Sequence, residues 1–121
     1  MKKAYKPEEV ADLFLEHFNS KDLEGIASVY EEDAVIITSH EHTAARGKHE
    51  IKAFFAKLME VTPKFEGVTH SLPIVNGDIA LTSTKLPNGF VTAEVGRKQA
   101  DGSWLWFIDQ PIISIEKTDN V

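Results

Sequence analysis

The sequence predicts a single α+β domain in which three N-terminal helices pack on one face of a sheet whose strands are connected by hairpins. The first half repeats apolar residues at helical spacing, whereas the second half is rich in β-branched and aromatic residues between turn motifs. The 121 residues fit one domain, 1–121, and the 42% hydrophobic and 26% charged fractions are typical of a globular chain.

Three helical segments are predicted in the first half. The first covers 7–19, because a proline suits the first helical turn and apolar residues follow at spacings of three and four. Asp22 can cap a second, short helix that has Tyr30 among its inward residues, and the third helix covers 48–60. Residues 35–38 form a candidate strand between the second and third helices.

Turn motifs divide the second half into four predicted strands. Connections this short favour an antiparallel meander, because parallel strands need a long crossover. The strands are expected near 65–75, 79–86, 90–99 and 103–116, between turns at 76–78, 87–89 and 101–102.

Composition excludes several classes of protein. The chain has 13 basic and 19 acidic residues, a net charge of -6 and no basic stripe, so a nucleic-acid partner is not expected. No apolar stretch approaches the length of a membrane span, so no membrane partner is expected either. The absence of cysteine excludes disulfides and thiolate chemistry. We expect a cytoplasmic protein without a cofactor.

Several short stretches occur in an order that together is typical of one superfamily. They are DLEGI at 22–26 with VYEEDAV at 29–35, RGKHEI at 46–51, DGSW at 101–104, and the Ile108-Asp109 pair. On these stretches the chain resembles the nuclear-transport-factor-two-like superfamily, which includes ketosteroid isomerases and SnoaL-like polyketide cyclases. The resemblance implies a cone-shaped α+β barrel, in which the three N-terminal helices pack on the concave face of a curved mixed, mostly antiparallel sheet. It also implies that the barrel encloses a pocket for a small, largely apolar molecule.

The ketosteroid isomerase branch can be aligned with this chain residue by residue. The position of its general-base aspartate falls on Thr38, and the position of its hydrogen-bonding tyrosine falls on Phe14. The position of its protonated aspartic acid falls on Glu94, which keeps a carboxyl group. Because two of the three functional positions are lost, we do not expect the ordinary steroid-isomerase mechanism.

Asp109 is the leading candidate for a catalytic base. Strand alternation, with the facing carried over from the ketosteroid isomerase alignment, places it on the inner face, where desolvation would raise its pKa toward the working range of a general base. The alternative is a structural acceptor where the strand bends before Pro111. Glu94 is the candidate second acid, or else an exposed partner of Arg97 or Lys85. The same alternation, with the first helix, gives the expected ligand-contacting residues: Phe14, Phe18, Thr38, Ile79, Leu81, Ser83 and Phe107.

The histidines give a weaker signal. His40 and His42 could face one way on an extended segment, but no compact third-ligand motif accompanies them, so a solvated loop without metal is expected. His40 stays a candidate assisting residue at the pocket mouth. His70 lies on a strand whose register the sequence leaves open.

The last strand also indicates a contact surface. Trp104 and Trp106 are two residues apart and therefore share a face, which the same alternation makes the outer one, together with Ile108. The resemblance implies a homodimer through the outer sheet face, and this pattern supports it; the alternative is packing beneath a terminal segment.

Three functional hypotheses remain. The chain is a proton-transfer or hydrolytic enzyme of isomerase or cyclase type with Asp109 as base, a non-catalytic binding protein for a small apolar molecule, or a homodimeric interaction module.

Overall fold

Three helices lie against a single curved, mixed sheet that does not close on itself. A computed structural model describes residues 1–38 and 43–115. The helices are α1 (Glu9–Asn19), α2 (Leu23–Ser28) and α3 (Gly47–Val61). The strands are β1 (Tyr30–Ile37), β2 (Ala44–Arg46), β3 (Thr69–His70), β4 (Ile74–Asn76), β5 (Ile79–Thr82), β6 (Thr84–Lys85), β7 (Phe90–Lys98) and β8 (Trp104–Ile115).

The helices form where the periodicity predicts them. The Asp22 carboxylate caps α2 by accepting a hydrogen bond from the Gly25 backbone N–H at 3.0 Å. The placement of Tyr30 in this helix was wrong. The chain turns at the C-cap residue Val29, and Tyr30 begins β1 instead.

The sheet order is β2-β1-β8-β7-β5-β4, and β3 and β6 pair beside β7. Adjacent strands are antiparallel except β1 and β8, which run parallel because helix and sheet segments separate them in the chain. The predicted hairpins are present between β4, β5, β7 and β8. The single strand expected near 65–75 was wrong, since only the short strands β3 and β4 form there.

A β-bulge in β8 sets which residues face the helices. Val95 pairs with Ile108 and Gly96 pairs with Trp106, so Phe107 is an extra residue between the two pairs. Even-numbered residues point inward before the bulge and odd-numbered residues after it. Trp104 and Trp106 are therefore buried, which corrects the prediction that they face outward with Ile108. Phe107 lies on the outer face under the Arg97 guanidinium, which corrects its inward placement.

The facing of β5 was also predicted wrongly. Thr82 pairs with Glu94, so the inward residues are the small Ala80 and Thr82, both buried. Ile79 and Leu81 are exposed on the other face.

Aromatic side chains from all layers meet between the helices and the sheet. The Phe14 ring lies 5.3 Å from that of Phe55 and 5.6 Å from that of Trp106, and the Phe18 ring lies 4.9 Å from that of Phe65, all between centroids.

In the described ranges, none of the helices is long and apolar enough to cross a membrane.

Candidate functional site

Two carboxyl groups lie side by side on the inner face of the sheet. Glu94 of β7 and Asp109 of β8 are direct cross-strand partners, which brings their side chains to the same face at neighbouring positions. Both are buried, with 3% and 5% of their surface exposed. Buried carboxyl groups are rare unless they are hydrogen-bonded or functional, so this pair is the candidate functional site on the inner face.

Each carboxyl group accepts a hydrogen bond from a hydroxyl. The Tyr30 phenol at the start of β1 donates to Asp109 Oδ2 at 2.6 Å, and Tyr30 is itself fully buried. Thr82 Oγ1 of β5 donates to Glu94 Oε1 at 2.8 Å. Four neighbouring strands therefore supply the four side chains of the site, since β5, β7, β8 and β1 follow one another in the sheet.

Burial changes the acidity of all three ionisable groups. Desolvation raises the pKa of Glu94 to about 7, although hydrogen bonds from the Thr92 and Thr82 hydroxyls oppose the rise. Desolvation, followed by repulsion from Glu94, raises the pKa of Asp109 well above its ordinary value, while the Tyr30 hydrogen bond lowers it. Desolvation also raises the pKa of Tyr30, which stays neutral. The carboxyl pair thus retains a proton at neutral pH.

The pair lies in the wall of a mostly apolar cavity of about 100 Å³ between α1, α3 and the sheet. Thr84, Thr92, Glu94 and Asp109 are polar residues of its lining. The aromatic part of the lining consists of Phe14, Phe18, Phe54, Phe55, Phe65 and Trp106.

Trp106 brings an unused donor to the same region. Within the described part of the chain, its indole Nε1 is buried and has no hydrogen-bond partner. Buried polar atoms normally have a partner, so an unpaired donor on a cavity-lining residue is a feature that a ligand oxygen or a water molecule would satisfy.

The structure brings four of the predicted site residues together. Phe14, Phe18, Glu94 and Asp109 all line the cavity. The catalytic and ligand-binding roles of these residues stay predictions.

The remaining predicted residues lie elsewhere, or outside the description. Thr38 is hydrogen-bonded to the Thr43 hydroxyl at 2.7 Å, and the Ser83 hydroxyl donates to the backbone oxygen of Thr92 at 2.7 Å. Neither residue lines the cavity. Ile79, Leu81 and Phe107 are on the outer face, and His40 lies outside the described residues.

Tyr30, Thr82 and Trp106 are site residues that the sequence did not reveal. Tyr30 was taken for a helix residue, and the facing of the other two was reversed. A signal for Tyr30 existed, because Ala34, Val35, Ile36 and Ile37 continue the same strand and Tyr is favoured in strands.

Across residues 1–38 and 43–115, no group of three or more His, Asp or Glu side chains is placed to hold a metal ion.

Helices packed on a curved mixed sheet define the cone-shaped α+β class of nuclear-transport-factor-two-like proteins, as the resemblance implied. Within that class, the chain belongs to the SnoaL-like domain family, whose profile matches residues 11–110. No curated protein matches the chain by sequence.

Several solved structures share the fold. A protein of unknown function from Mycobacterium tuberculosis is 18% identical with a TM-score of 0.75, covering 93% of this chain and 70% of its own. A ketosteroid isomerase-like protein from Erwinia carotovora is 22% identical with a TM-score of 0.69, covering 88% and 93%. A nuclear-transport-factor-two-like protein of unknown function from Pseudomonas putida is 17% identical with a TM-score of 0.65, covering 85% and 80%. Similarity at these identities establishes the fold alone, and any reaction has to be inferred from the site.

Proposed function

We propose that the chain binds a small, largely apolar carbonyl compound in the cavity and transfers a proton on it with the Glu94–Asp109 pair. The observation that carries the proposal is the position of two buried, hydrogen-bonded carboxyl groups on adjacent strands in the wall of an aromatic cavity. Apolar cavities with a few convergent polar groups and perturbed acids are typical of ligand sites.

The two carboxyl groups suit different roles. Glu94, with a pKa of about 7 and a Thr82 donor that favours its ionised form, serves as the general base. Asp109, whose pKa is raised by desolvation and by repulsion from Glu94, serves as the acid that donates to the carbonyl oxygen. We therefore assign the base to Glu94 rather than to Asp109, the residue that the sequence favoured.

The proposed step balances without a co-reactant. Ionised Glu94 takes a proton from the carbon next to the carbonyl, and the C–H electron pair becomes the C=C bond of an enol. Asp109 gives its proton to the carbonyl oxygen, whose negative charge would otherwise develop in the apolar site. Return of a proton to the same or a conjugated carbon gives exchange or isomerisation.

Cavity size limits the substrate. The volume of about 100 Å³ is below the roughly 300–1,000 Å³ of sites for drug-sized ligands and below the ~150 Å³ cavity that accepts benzene in another protein. Short ketones fit this limit better than polycyclic compounds.

Deuterium uptake tests the proposal. Short ketones such as butanone are incubated with the protein in D₂O near neutral pH, and proton NMR follows exchange at the carbons next to the carbonyl. The wild type is expected to accelerate exchange, and Glu94→Gln and Asp109→Asn are each expected to reduce the acceleration by roughly 100-fold or more. Tyr30→Phe removes the hydrogen bond to Asp109 and is expected to reduce the exchange rate less than the two carboxyl variants do.

Glu32→Gln, a change at an exposed carboxyl on β1, is the matched control and should exchange at the wild-type rate. Ligand binding is followed in parallel by tryptophan fluorescence, because Trp106 lines the cavity. Binding without any exchange by the wild type would contradict the enzyme proposal and favour a non-catalytic binding protein.

A further inference from the structure

A second polar unit reaches the cavity wall from the surface. The His70 ring of β3 lies between a carboxylate and a hydroxyl: Nε2 is 3.2 Å from Asp12 Oδ1 of α1, and Nδ1 is 3.0 Å from Thr84 Oγ1 of β6. Thr84 is buried and lines the cavity, whereas the side chains of His70 and Asp12 are 30% and 64% exposed. The three side chains therefore connect solvent with the cavity.

A carboxylate, an imidazole and a hydroxyl in this order can transfer a proton from one group to the next. A carboxylate beside one imidazole nitrogen fixes the ring and favours a proton on that nitrogen, and the other nitrogen then exchanges a proton with the hydroxyl. A hydroxyl can accept a proton on one side and donate its own on the other. The Thr84 backbone N–H is already bonded to Thr92 Oγ1 at 3.0 Å, which fixes the position of the threonine on the sheet.

Thr84 and the carboxyl pair lie at different places along the same face. Thr84 is two residues beyond Thr82, the residue that holds Glu94, and two residues along a strand span about 7 Å. Glu94 and Thr84 both line the cavity, so a ligand held there can present one carbon to Glu94 and the oxygen on the neighbouring carbon to Thr84.

We propose that Asp12, His70 and Thr84 form a proton relay that protonates a departing oxygen, so that the substrate is a short β-hydroxy carbonyl compound that loses water. This inference rests on the proposed proton abstraction by Glu94. Thr84 is the catalytic residue of the relay because it touches the substrate, and His70 and Asp12 act through it.

The elimination balances within the site. Glu94 takes the proton from the carbon next to the carbonyl, the C–H electron pair forms the C=C bond, and the C–O electron pair leaves with the oxygen. Thr84 gives its hydroxyl proton to that oxygen, and protonated His70 restores the Thr84 hydroxyl from Nδ1. The products are an α,β-unsaturated carbonyl compound and water. His70 then regains a proton from solvent, and Glu94 returns the one it took.

The test uses 4-hydroxybutan-2-one in D₂O with the full chain. NMR measures deuterium uptake next to the carbonyl, and ultraviolet absorbance measures the enone product. The wild type is expected to show both reactions. His70→Gln and Thr84→Val should each reduce enone formation by roughly 100-fold or more. In His70→Gln, which changes a residue outside the cavity lining, deuterium uptake should stay within a few-fold of wild type. Thr84→Ser, which keeps the hydroxyl, should restore elimination, and Thr69→Val beside His70 on β3 is the matched control.

The two measurements separate the two proposals. Deuterium uptake without enone in the wild type, or enone formation unchanged in both His70→Gln and Thr84→Val, would overturn the relay and leave the proposed function standing. Absence of deuterium uptake in the wild type would overturn both. A purely structural role for His70 would lower both reactions together, because it would act through the stability of the fold, and that result also counts against the relay.

Discussion

At the scale of single residues, the buried carboxyl pair lowers the stability of the folded chain when it ionises. Burial favours the neutral form of Glu94, so its ionisation in the folded chain is unfavourable. A glutamine would provide a side chain of similar shape without that penalty. Retention of two carboxyl groups beneath aromatic rings is therefore easier to explain by a function than by folding.

This penalty predicts a pH dependence of stability. Between the ordinary pKa of 4.5 and the folded value of about 7, folded Glu94 holds a proton that the unfolded chain has released. The contribution of Glu94 to the free energy of unfolding is full below pH 4.5 and is lost as the pH rises through 7, at up to about 1.4 kcal/mol per pH unit. Urea denaturation across this window should show a smaller slope for Glu94→Gln than for wild type.

Glu32→Gln should keep the wild-type slope, because it removes an exposed carboxyl. The surface carboxyls Glu31 and Asp101 have lowered pKa values from their partners Arg97 and Lys3, so their contributions are lost only as the pH falls below the ordinary carboxyl range. Equal slopes for the wild type and Glu94→Gln would mean that Glu94 is not desolvated as described.

At the scale of elements, a glycine sets how closely α1 and α2 approach. A Cβ at Gly25 would lie far inside van der Waals contact of His17 Nδ1, so the buried imidazole occupies the space that the glycine leaves. Gly25 has ordinary helical backbone angles, and its missing side chain is therefore needed for packing and not for conformation.

A double-mutant cycle tests this packing. Gly25→Ala alone should destabilise the chain by about 1–3 kcal/mol or more, because the methyl group overlaps the ring. In a His17→Ala background the same change should be neutral or stabilising by up to about 1 kcal/mol, since alanine is the better helix former. Urea denaturation of the four proteins gives the coupling. Equal effects of Gly25→Ala in both backgrounds would contradict the contact.

The helices and hairpins were more predictable than the face of the sheet on which each strand residue lies. The helices followed from apolar spacing, and the hairpins followed from Gly77, Gly89 and Gly102, which adopt positive φ at the turns. The facing of β8 could not be predicted, because the bulge at Phe107 leaves no mark in the alternation of that strand. Because of this one extra residue, Trp104 and Trp106 lie on the inner face and not on the predicted outer face.

The candidate site was predictable in part for the same reason. Glu94 was found through the ketosteroid isomerase alignment, and Asp109 lies beyond the bulge, so the facing carried over from that alignment was right for both residues. Tyr30 could not be assigned to Asp109, because the contact joins residues 79 positions apart through a parallel pairing that short-range patterns do not encode.

At the scale of the whole molecule, the outer sheet face carries an apolar row across five strands. The registers connect Ile74 with Leu81, Leu81 with Val95, Val95 with Ile108 and Ile108 with Val35. Leu81 and Ile108 are 46% and 47% exposed. Strands about 4.8 Å apart make this row roughly 20 Å long, and the length of β7 extends the face to about 30 Å in the other direction.

We propose that a second copy of the chain covers this outer face. A face of about 20 Å by 30 Å approaches the ~800 Å² per partner of a standard stable interface, and an apolar row pairs with itself about a two-fold axis. The neighbouring charges do not oppose such contact, because Arg97 is already paired with Glu31 within the chain. The tryptophans that first indicated this surface take no part, since both are buried.

The row therefore predicts a dimer that charge will break. Leu81→Lys with Ile108→Lys places like charges at the centre of the face, where each would be desolvated beside its copy, so the variant should be monomeric and folded. Light scattering coupled to size exclusion measures the mass, and circular dichroism checks the fold. Val61→Lys, at an exposed apolar residue at the end of α3, is the control and should stay dimeric. A wild-type chain that is monomeric at every concentration, or a double variant that is still dimeric, would show that the outer face is not the interface.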